Sequence, residues 1–187
     1  MLRDLRSLQN EMKQAAIDVL VKTYALKVVV NDKPFKSYPV IDEWRLQYDN
    51  NWRRYKFLCL WGPSRTGKTS LALSLWGEPS TFYVDCTGGK EPDLRDYDCV
   101  KHKAVIFDEI PLKVVLHHKR LMQAPHVPVP LGTSSTHMYT YRVWLAKTAI
   151  ILTTNKFESE MGKLDEEDRE WMISNCVQCN ITESVWQ

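Results

Sequence analysis

Hydrophobic residues are spaced in two different ways along the chain, and the change from one spacing to the other predicts the architecture. Over residues 1–27 they recur at steps of three and four, as at Leu5, Leu8 and Met12, which is typical of an amphipathic helix. A short second helix is predicted after Pro39. From residue 55 onward, short apolar runs bounded by turn residues predict strands of a buried sheet. The pattern therefore predicts a helical segment over residues 1–50 and an α/β domain over residues 51–187.

Four of these runs are the predicted core strands, and one segment has a different character. The runs cover residues 55–61, 81–84, 104–107 and 149–152, and an Ala/Leu-rich helix is predicted over residues 69–76. Residues 127–145 alternate around Gly132, which predicts a β-hairpin.

The first core run ends in a loop with the spacing of a phosphate-binding motif. Gly62 and the later Gly67, Lys68 and Thr69 fit G-x-x-x-x-G-K-[ST]. Glycines let the backbone N–H groups surround a phosphate, and the following helix adds the positive end of its dipole. Lys68 can reach the β- and γ-phosphates, and the Thr69 hydroxyl can ligate Mg²⁺. The residues predicted to bind the nucleotide are Gly62, Pro63, Ser64, Arg65, Thr66, Gly67, Lys68, Thr69 and Ser70.

Polar residues also follow two later core runs. Asp108 and Glu109 come directly after residues 104–107, and Asn155 follows residues 149–152. At the carboxyl edge of a parallel sheet, Asp108 would hold Mg²⁺ directly or through water, and Glu109 would orient the attacking water as a base. Asn155 would sense the γ-phosphate. The alternatives are two surface acids that cap a strand and an asparagine in a turn.

Charge becomes informative through its distribution. The 187 residues carry a formal net charge of only +2, yet residues 110–157 contain no Asp or Glu and hold several Lys, Arg and aromatic residues. Basic residues interleaved with aromatics suit a nucleic acid, whereas a solvated basic surface is the alternative. The predicted DNA contacts on the hairpin are His137, Tyr139 and Arg142.

The cysteines and the apolar runs bear on the cellular environment. Nothing at the start resembles a secretory signal, so the five cysteines are expected to be reduced and the chain intracellular. Cys176 and Cys179 form the single C-x-x-C pair, for which a C-terminal strand is favoured over a zinc site. No run approaches membrane-spanning length, so no membrane partner is expected.

In this order the motifs resemble the superfamily 3 helicases. More narrowly, the chain resembles the ATPase domain of replication initiator (Rep) proteins of circular single-stranded DNA viruses, of the geminivirus and genomovirus kind, and of related plasmids. The resemblance covers roughly residues 38–187. The motif stretches that match are residues 62–69 with Ala72, Ser74 and Leu75, residues 105–110 and residues 150–155. The match also includes residues 55–58, which lead into the phosphate loop, and, near the C-terminus, residues 164–167, Trp171, 175–177 and 181–183.

The resemblance implies a fold, an activity and an assembly. The fold would be a P-loop NTPase, an AAA+-like superfamily 3 helicase core with a mostly parallel central sheet. The activity would be that of an ATP- and Mg²⁺-dependent DNA helicase, a homo-oligomeric, hexamer-like ring that moves along single-stranded DNA in the host nucleus. The N-terminal segment would serve oligomerisation. An arginine finger would reach the neighbouring subunit's nucleotide, and Arg142 and Arg169 are the candidates.

Two departures from that family leave alternatives open. Its members usually carry a nicking endonuclease with a His-hydrophobic-His site, and this sequence contains no such site. A nuclease would therefore be supplied elsewhere. Tyr24 is interpreted as a core or interface residue and not as a nicking tyrosine. His137 stands near the position of the usual hairpin lysine. The alternatives are a non-catalytic nucleotide- or DNA-binding relic, an RNA-virus-type superfamily 3 helicase, and a P-loop phosphotransferase.

Overall fold

The computed structural model describes residues 12–16, 19, 33–132 and 140–187, and the chain divides into two compact units. The first unit is Met1–Lys33 and the second is Pro34–Gln187. In the first unit residues 12–16 and 19 are helical and exposed, in agreement with the helix predicted there. The remainder of the predicted 1–27 helix, Tyr24 included, lies outside the described residues. The oligomerisation role of this segment stays a prediction.

The second unit begins earlier than the boundary predicted between residues 50 and 51. It opens with helix α1, Pro39–Arg45, and a 3-10 turn, Leu46–Asp49. Ile41 and Trp44 are buried together with Leu58 and Leu60 of the sheet, and the Trp44 indole N–H donates to the Lys56 carbonyl at 2.7 Å. Residues 34–50 therefore pack as part of the sheet's own core, which is the reason for the division at 33/34.

A five-stranded sheet forms the centre of the second unit. Its strand order is β2-β3-β6-β1-β7, and every neighbouring pair is parallel. All carboxyl ends therefore lie at one edge, which is where the predicted polar residues follow the strands. The strands are β1 Phe57–Trp61, β2 Thr81–Asp85, β3 Ala104–Asp108, β6 Ala149–Thr154 and β7 Cys176–Asn180.

Helices cover both faces of this sheet, and this explains the unbroken apolar runs. The three central strands β1, β3 and β6 are buried almost throughout, as expected for a parallel sheet packed on both sides. Their alternate side chains enter two separate hydrophobic clusters. The covering helices after α1 are α2 Lys68–Ser74, α3 Leu112–His117, α4 Lys119–Met122, α5 Phe157–Met161 and α6 Glu166–Asn175.

The predicted hairpin is present as a small antiparallel pair. Strands β4, Val129–Leu131, and β5, Tyr141–Val143, pair antiparallel with Val129 opposite Val143. Residues 133–139 between them lie outside the described residues, and so do two of the predicted DNA contacts, His137 and Tyr139. Among the described residues no helix is long and apolar enough to cross a bilayer.

Candidate active site

The loop between β1 and α2 is built around two glycines in positive-φ conformations. Gly62 has φ +139°, and a Cβ there would lie 2.2 Å from the backbone oxygen of Ile181. Gly67 has φ +92°, and its Cβ would lie 2.5 Å from Val185 Cγ2. Only glycine fits both the conformation and the space. The two glycines of the motif thus lie where the loop packs closely against the residues that follow β7.

Lys68 folds back into this loop instead of extending into solvent. Its Nζ donates to the carbonyls of Gly62 at 3.1 Å and Pro63 at 2.7 Å, and to Asn155 Oδ1 at 2.7 Å. Burial lowers the pKa of Lys68, and the nearby carboxylates of Glu109 and Asp108 oppose that shift. These acceptors, and Thr66 Oγ1 at 3.5 Å, are neutral oxygens, so no direct ion pair with a described residue cancels the ammonium charge. This buried cation is suited to an anionic phosphate.

The Asp108 carboxylate accepts hydrogen bonds from three hydroxyl groups. Thr69 Oγ1 donates to Oδ1 at 2.7 Å, and Thr153 Oγ1 donates to the same oxygen. Tyr83 donates to Oδ2 at 2.8 Å from strand β2. The pKa of the Tyr83 hydroxyl is raised by burial and by the Asp108 charge beside it. Three neighbouring elements therefore fix the position of one carboxylate.

The oxygens of Thr69 and Asp108 fit Mg²⁺ in the predicted role. Both are hard oxygen donors within hydrogen-bond distance of each other, so they converge on one point. Within the described ranges no group of three or more His, Cys, Asp or Glu could hold a metal. Few protein ligands are also typical of Mg²⁺ at phosphate sites, because this ion keeps several waters and binds the substrate's phosphates.

Glu109 is held in an uncommon backbone conformation directly after β3. Its φ is +53°, which is rare for a residue with a Cβ and is characteristic of functional sites. Its N–H donates to Thr153 Oγ1 at 3.1 Å, and its Oε1 accepts from Asn155 Nδ2 at 2.6 Å. Because Asn155 also accepts from Lys68, its side chain bridges the predicted base and the predicted phosphate-binding lysine. The ends of β1, β3 and β6 therefore meet in one hydrogen-bonded network.

Sequence reasoning missed two residues of this network, Tyr83 and Thr153. Thr153 immediately precedes Thr154 and Asn155, so its place at a strand end could have suggested a role. Tyr83 carries no such signal, since it lies inside β2 as a half-exposed tyrosine. Its proximity to Asp108 follows from the pairing of β2 with β3, which aligns Asp85 with Asp108.

Of the predicted DNA contacts, the structure describes Arg142. It is exposed on β5 and lines a cavity of about 490 Å³. The other residues that line the cavity are Leu94, Arg95, Tyr97, Cys99, Tyr141, Val143 and Trp144. The Arg95 guanidinium lies over the Tyr141 ring at 5.2 Å, and the indole of Trp144 is half exposed. This cavity combines cationic and aromatic groups.

The two arginine-finger candidates have different surroundings. Arg169 is half-buried on α6 and donates to the Leu164 carbonyl at 2.9 Å. The exposed side chain of Arg142 makes no hydrogen bond or ion pair within the part of the chain that the structure describes. Arg142 is thus the more accessible of the two for a partner or a nucleic acid.

The C-x-x-C pair lies on a strand, as favoured from the sequence. Cys176 and Cys179 both belong to β7 but enter different hydrophobic clusters on opposite faces of the sheet. Side chains on opposite faces cannot ligate one ion, so this pair forms no zinc site.

Comparison with known proteins shows no family for this chain. No protein-family model matches the chain, and no curated protein matches it in sequence. Among 106 matching chains of solved structures is NtrX from Brucella abortus in complex with ATP, with a TM-score of 0.45 and 14% identity. The match covers 92% of this chain and 44% of NtrX, so the chain spans less than half the length of that protein. The chain's own topology, a phosphate loop between the first strand and a helix of a parallel sheet, is that of a P-loop NTPase, as predicted.

Proposed function

We propose that this chain is an ATP- and Mg²⁺-dependent nucleoside triphosphatase that acts as the motor of a superfamily 3 DNA helicase. One observation supports this proposal more strongly than any other. Asn155 joins Lys68 and Glu109, so that the phosphate-binding lysine and the candidate base share one site. A phosphate loop alone is compatible with many functions, whereas this combination suits hydrolysis of a terminal phosphate.

The site residues divide the reaction between them. The loop N–H groups and Lys68 bind the triphosphate, with the γ-phosphate towards Asn155. Thr69 and Asp108 would hold Mg²⁺, which when bound neutralises charge on the phosphates. Glu109 accepts a proton from the water that attacks the γ-phosphorus, and the bond from that phosphorus to the β–γ bridging oxygen breaks. The products are ADP and inorganic phosphate.

Single-stranded DNA is the proposed second substrate, and the cavity beneath the hairpin supports it. Arg142 supplies positive charge, Arg95 is ion-paired with Asp93 at 2.8 Å, and Tyr141 and Trp144 supply aromatic faces. Nucleic-acid strands bind to such surfaces through backbone charge and base stacking. In this proposal the protein acts as a homo-oligomeric ring in the host nucleus. A nicking endonuclease would be supplied by another domain or protein.

Binding of a labelled single-stranded oligonucleotide, followed by fluorescence anisotropy, tests the DNA part of the proposal. Trp144→Ala should weaken binding about tenfold, which corresponds to the loss of one base–aromatic stack. Trp52→Ala is the matched control, because that indole is also at least half exposed but lies on the loop before β1. Equal binding by all three proteins would remove the cavity from the DNA path, and preference for an RNA oligonucleotide would favour the RNA-virus branch.

Arg142→Ala separates the two roles that are open to this arginine. If Arg142 contacts DNA, the variant binds the oligonucleotide more weakly and retains ATP turnover without DNA. If it acts as an arginine finger, DNA binding is retained and turnover falls by a factor of about 10³ or more. Arg53→Ala is the control, since Arg53 is also exposed. A variant that behaves like wild type in both assays would exclude Arg142 from either role.

A further inference from the structure

The last residues of the chain lie against the phosphate loop, on the side away from the candidate catalytic groups. Asp108, Glu109 and Asn155 follow β3 and β6, which lie on one side of β1. Strand β7 lies on the other side, and its continuation passes the loop at Ile181 and again at Val185. A nucleotide whose γ-phosphate points towards Asn155 must therefore extend its sugar and base away from β6, towards this continuation.

Backbone hydrogen bonds fix this terminal segment in place. The Val185 N–H donates to the Thr66 carbonyl of the phosphate loop at 2.9 Å. The Val185 carbonyl accepts from the Lys36 N–H at 2.8 Å, and the Gln187 N–H donates to the Pro34 carbonyl at 2.9 Å. The terminal segment is thus tied both to the loop and to the residues before α1.

Two aromatic side chains stand at this point. The rings of Phe35 and Trp186 lie 4.2 Å apart, centroid to centroid, with an interplanar angle of 31°. The Trp186 indole nitrogen lies 3.5 Å from the position that a Cβ of Gly67 would occupy. Within the described part of the chain this N–H donates no hydrogen bond, and the ring is only half-buried. An aromatic surface with an available donor therefore borders the end of the loop where the base must leave.

We propose that Trp186, supported from behind by Phe35, is the platform on which the nucleobase of the bound nucleotide stacks; the proposal rests on the nucleotide binding proposed above. A nucleobase has an aromatic face, and a phosphate chain has none. The platform therefore strengthens the binding of ATP but does not contribute to the binding of a triphosphate without a base. Stacking is tolerant of base identity, so the platform should accept other nucleobases besides adenine.

Comparing ATP with inorganic tripolyphosphate tests this assignment, because tripolyphosphate has no base. Calorimetric titrations with Mg²⁺ would use the Glu109→Gln background, which prevents turnover during the measurement. Trp186→Ala should weaken ATP binding about tenfold, as expected for one lost base stack, and leave tripolyphosphate binding unchanged. Trp186→Phe keeps an aromatic face and should retain most of the affinity for ATP.

The controls distinguish failure of this assignment from failure of the proposed function. Lys68→Ala should weaken both ligands, and Trp52→Ala neither. Trp186→Met fills the space beside Phe35 without a flat ring, and it replaces Trp186→Ala if thermal unfolding shows that the alanine variant does not fold. Unchanged ATP affinity in Trp186→Ala or Trp186→Met, or an equal loss for both ligands, would overturn the platform while leaving the phosphate site intact. If neither ligand binds to the parent protein, both proposals fail.

Discussion

Asp108 shows how much of the site depends on single hydroxyl groups. Its carboxylate accepts from Thr69, Thr153 and Tyr83, one from each of three neighbouring elements. Thr69 donates to Oδ1 and would share the proposed Mg²⁺ position, whereas Tyr83 donates to the other carboxylate oxygen, Oδ2. We therefore expect the tyrosine to act by orienting the carboxylate, and its effect should be visible in the Mg²⁺ dependence of ATP turnover.

Tyr83→Phe should raise the Mg²⁺ concentration that gives half-maximal ATP turnover by about tenfold, the usual cost of losing a group that orients a metal ligand. Turnover at saturating Mg²⁺ should change much less, because Lys68 and Glu109 are untouched. Tyr97→Phe is the matched control, since its hydroxyl bonds to Thr148 at 2.7 Å, away from Asp108. An unchanged Mg²⁺ profile in Tyr83→Phe would show that Asp108 needs no such support.

At the scale of elements, the phosphate loop depends on how closely the residues after β7 approach it. Gly62→Ala places a Cβ 2.2 Å from the Ile181 backbone oxygen at φ +139°. We expect it to lower the free energy of unfolding by about 3 kcal/mol or more, through backbone strain together with overpacking. Denaturant unfolding followed by circular dichroism measures this.

Gly88→Ala is the matched control for the loop glycine. Gly88 also has a positive φ, +76°, but nothing lies within 4 Å of its Cβ position. The Gly88→Ala variant should lose only about 1 kcal/mol of the free energy of unfolding, which is the cost of placing a residue with a Cβ in this backbone conformation. Equal losses in the two variants would mean that the approach of Ile181 does not constrain the loop.

The same elements show what the sequence could and could not predict. Apolar runs placed the strands, and parallel strands bring their carboxyl ends together, so the meeting of Lys68, Asp108 and Asn155 was predictable. The contact of Tyr83 with Asp108 was not, because it depends on strand order. Nor was the position of Trp186, since it depends on long-range backbone hydrogen bonds of Val185 and Gln187. The start of the second unit at Pro34 differs from the predicted boundary after residue 50, because Trp44 packs against residues of β1, which comes later in the chain.

At the scale of the whole molecule, the two-sided burial of the sheet determines the chemistry of the cysteines. Cys99 is exposed, and the other four lie in the core. Burial raises the pKa of Cys86 to about 12 and that of Cys179 to about 11. The thiolate is the reactive form, so these groups stay unreactive while the sheet is intact.

Labelling with a disulfide reagent near neutral pH should therefore modify Cys99 rapidly and the four buried thiols only on unfolding. Cys99→Ser should remove the rapid phase and leave the total after denaturation reduced by one thiol. Rapid labelling of several thiols in the native protein would contradict the packing of the sheet between two hydrophobic layers.

The central claim is that the ends of β1, β3 and β6 form one site that hydrolyses ATP. Steady-state ATP turnover in wild type, Lys68→Ala and Glu109→Gln tests it most directly, with Glu170→Gln, an exposed acid on α6, as the matched acid control. Glu109→Gln should bind ATP normally yet turn it over about 10² to 10⁴ times more slowly, the range for a lost general base. Lys68→Ala should lose binding, and Glu170→Gln should resemble wild type. Wild-type turnover no higher than that of Lys68→Ala and Glu109→Gln would contradict the account.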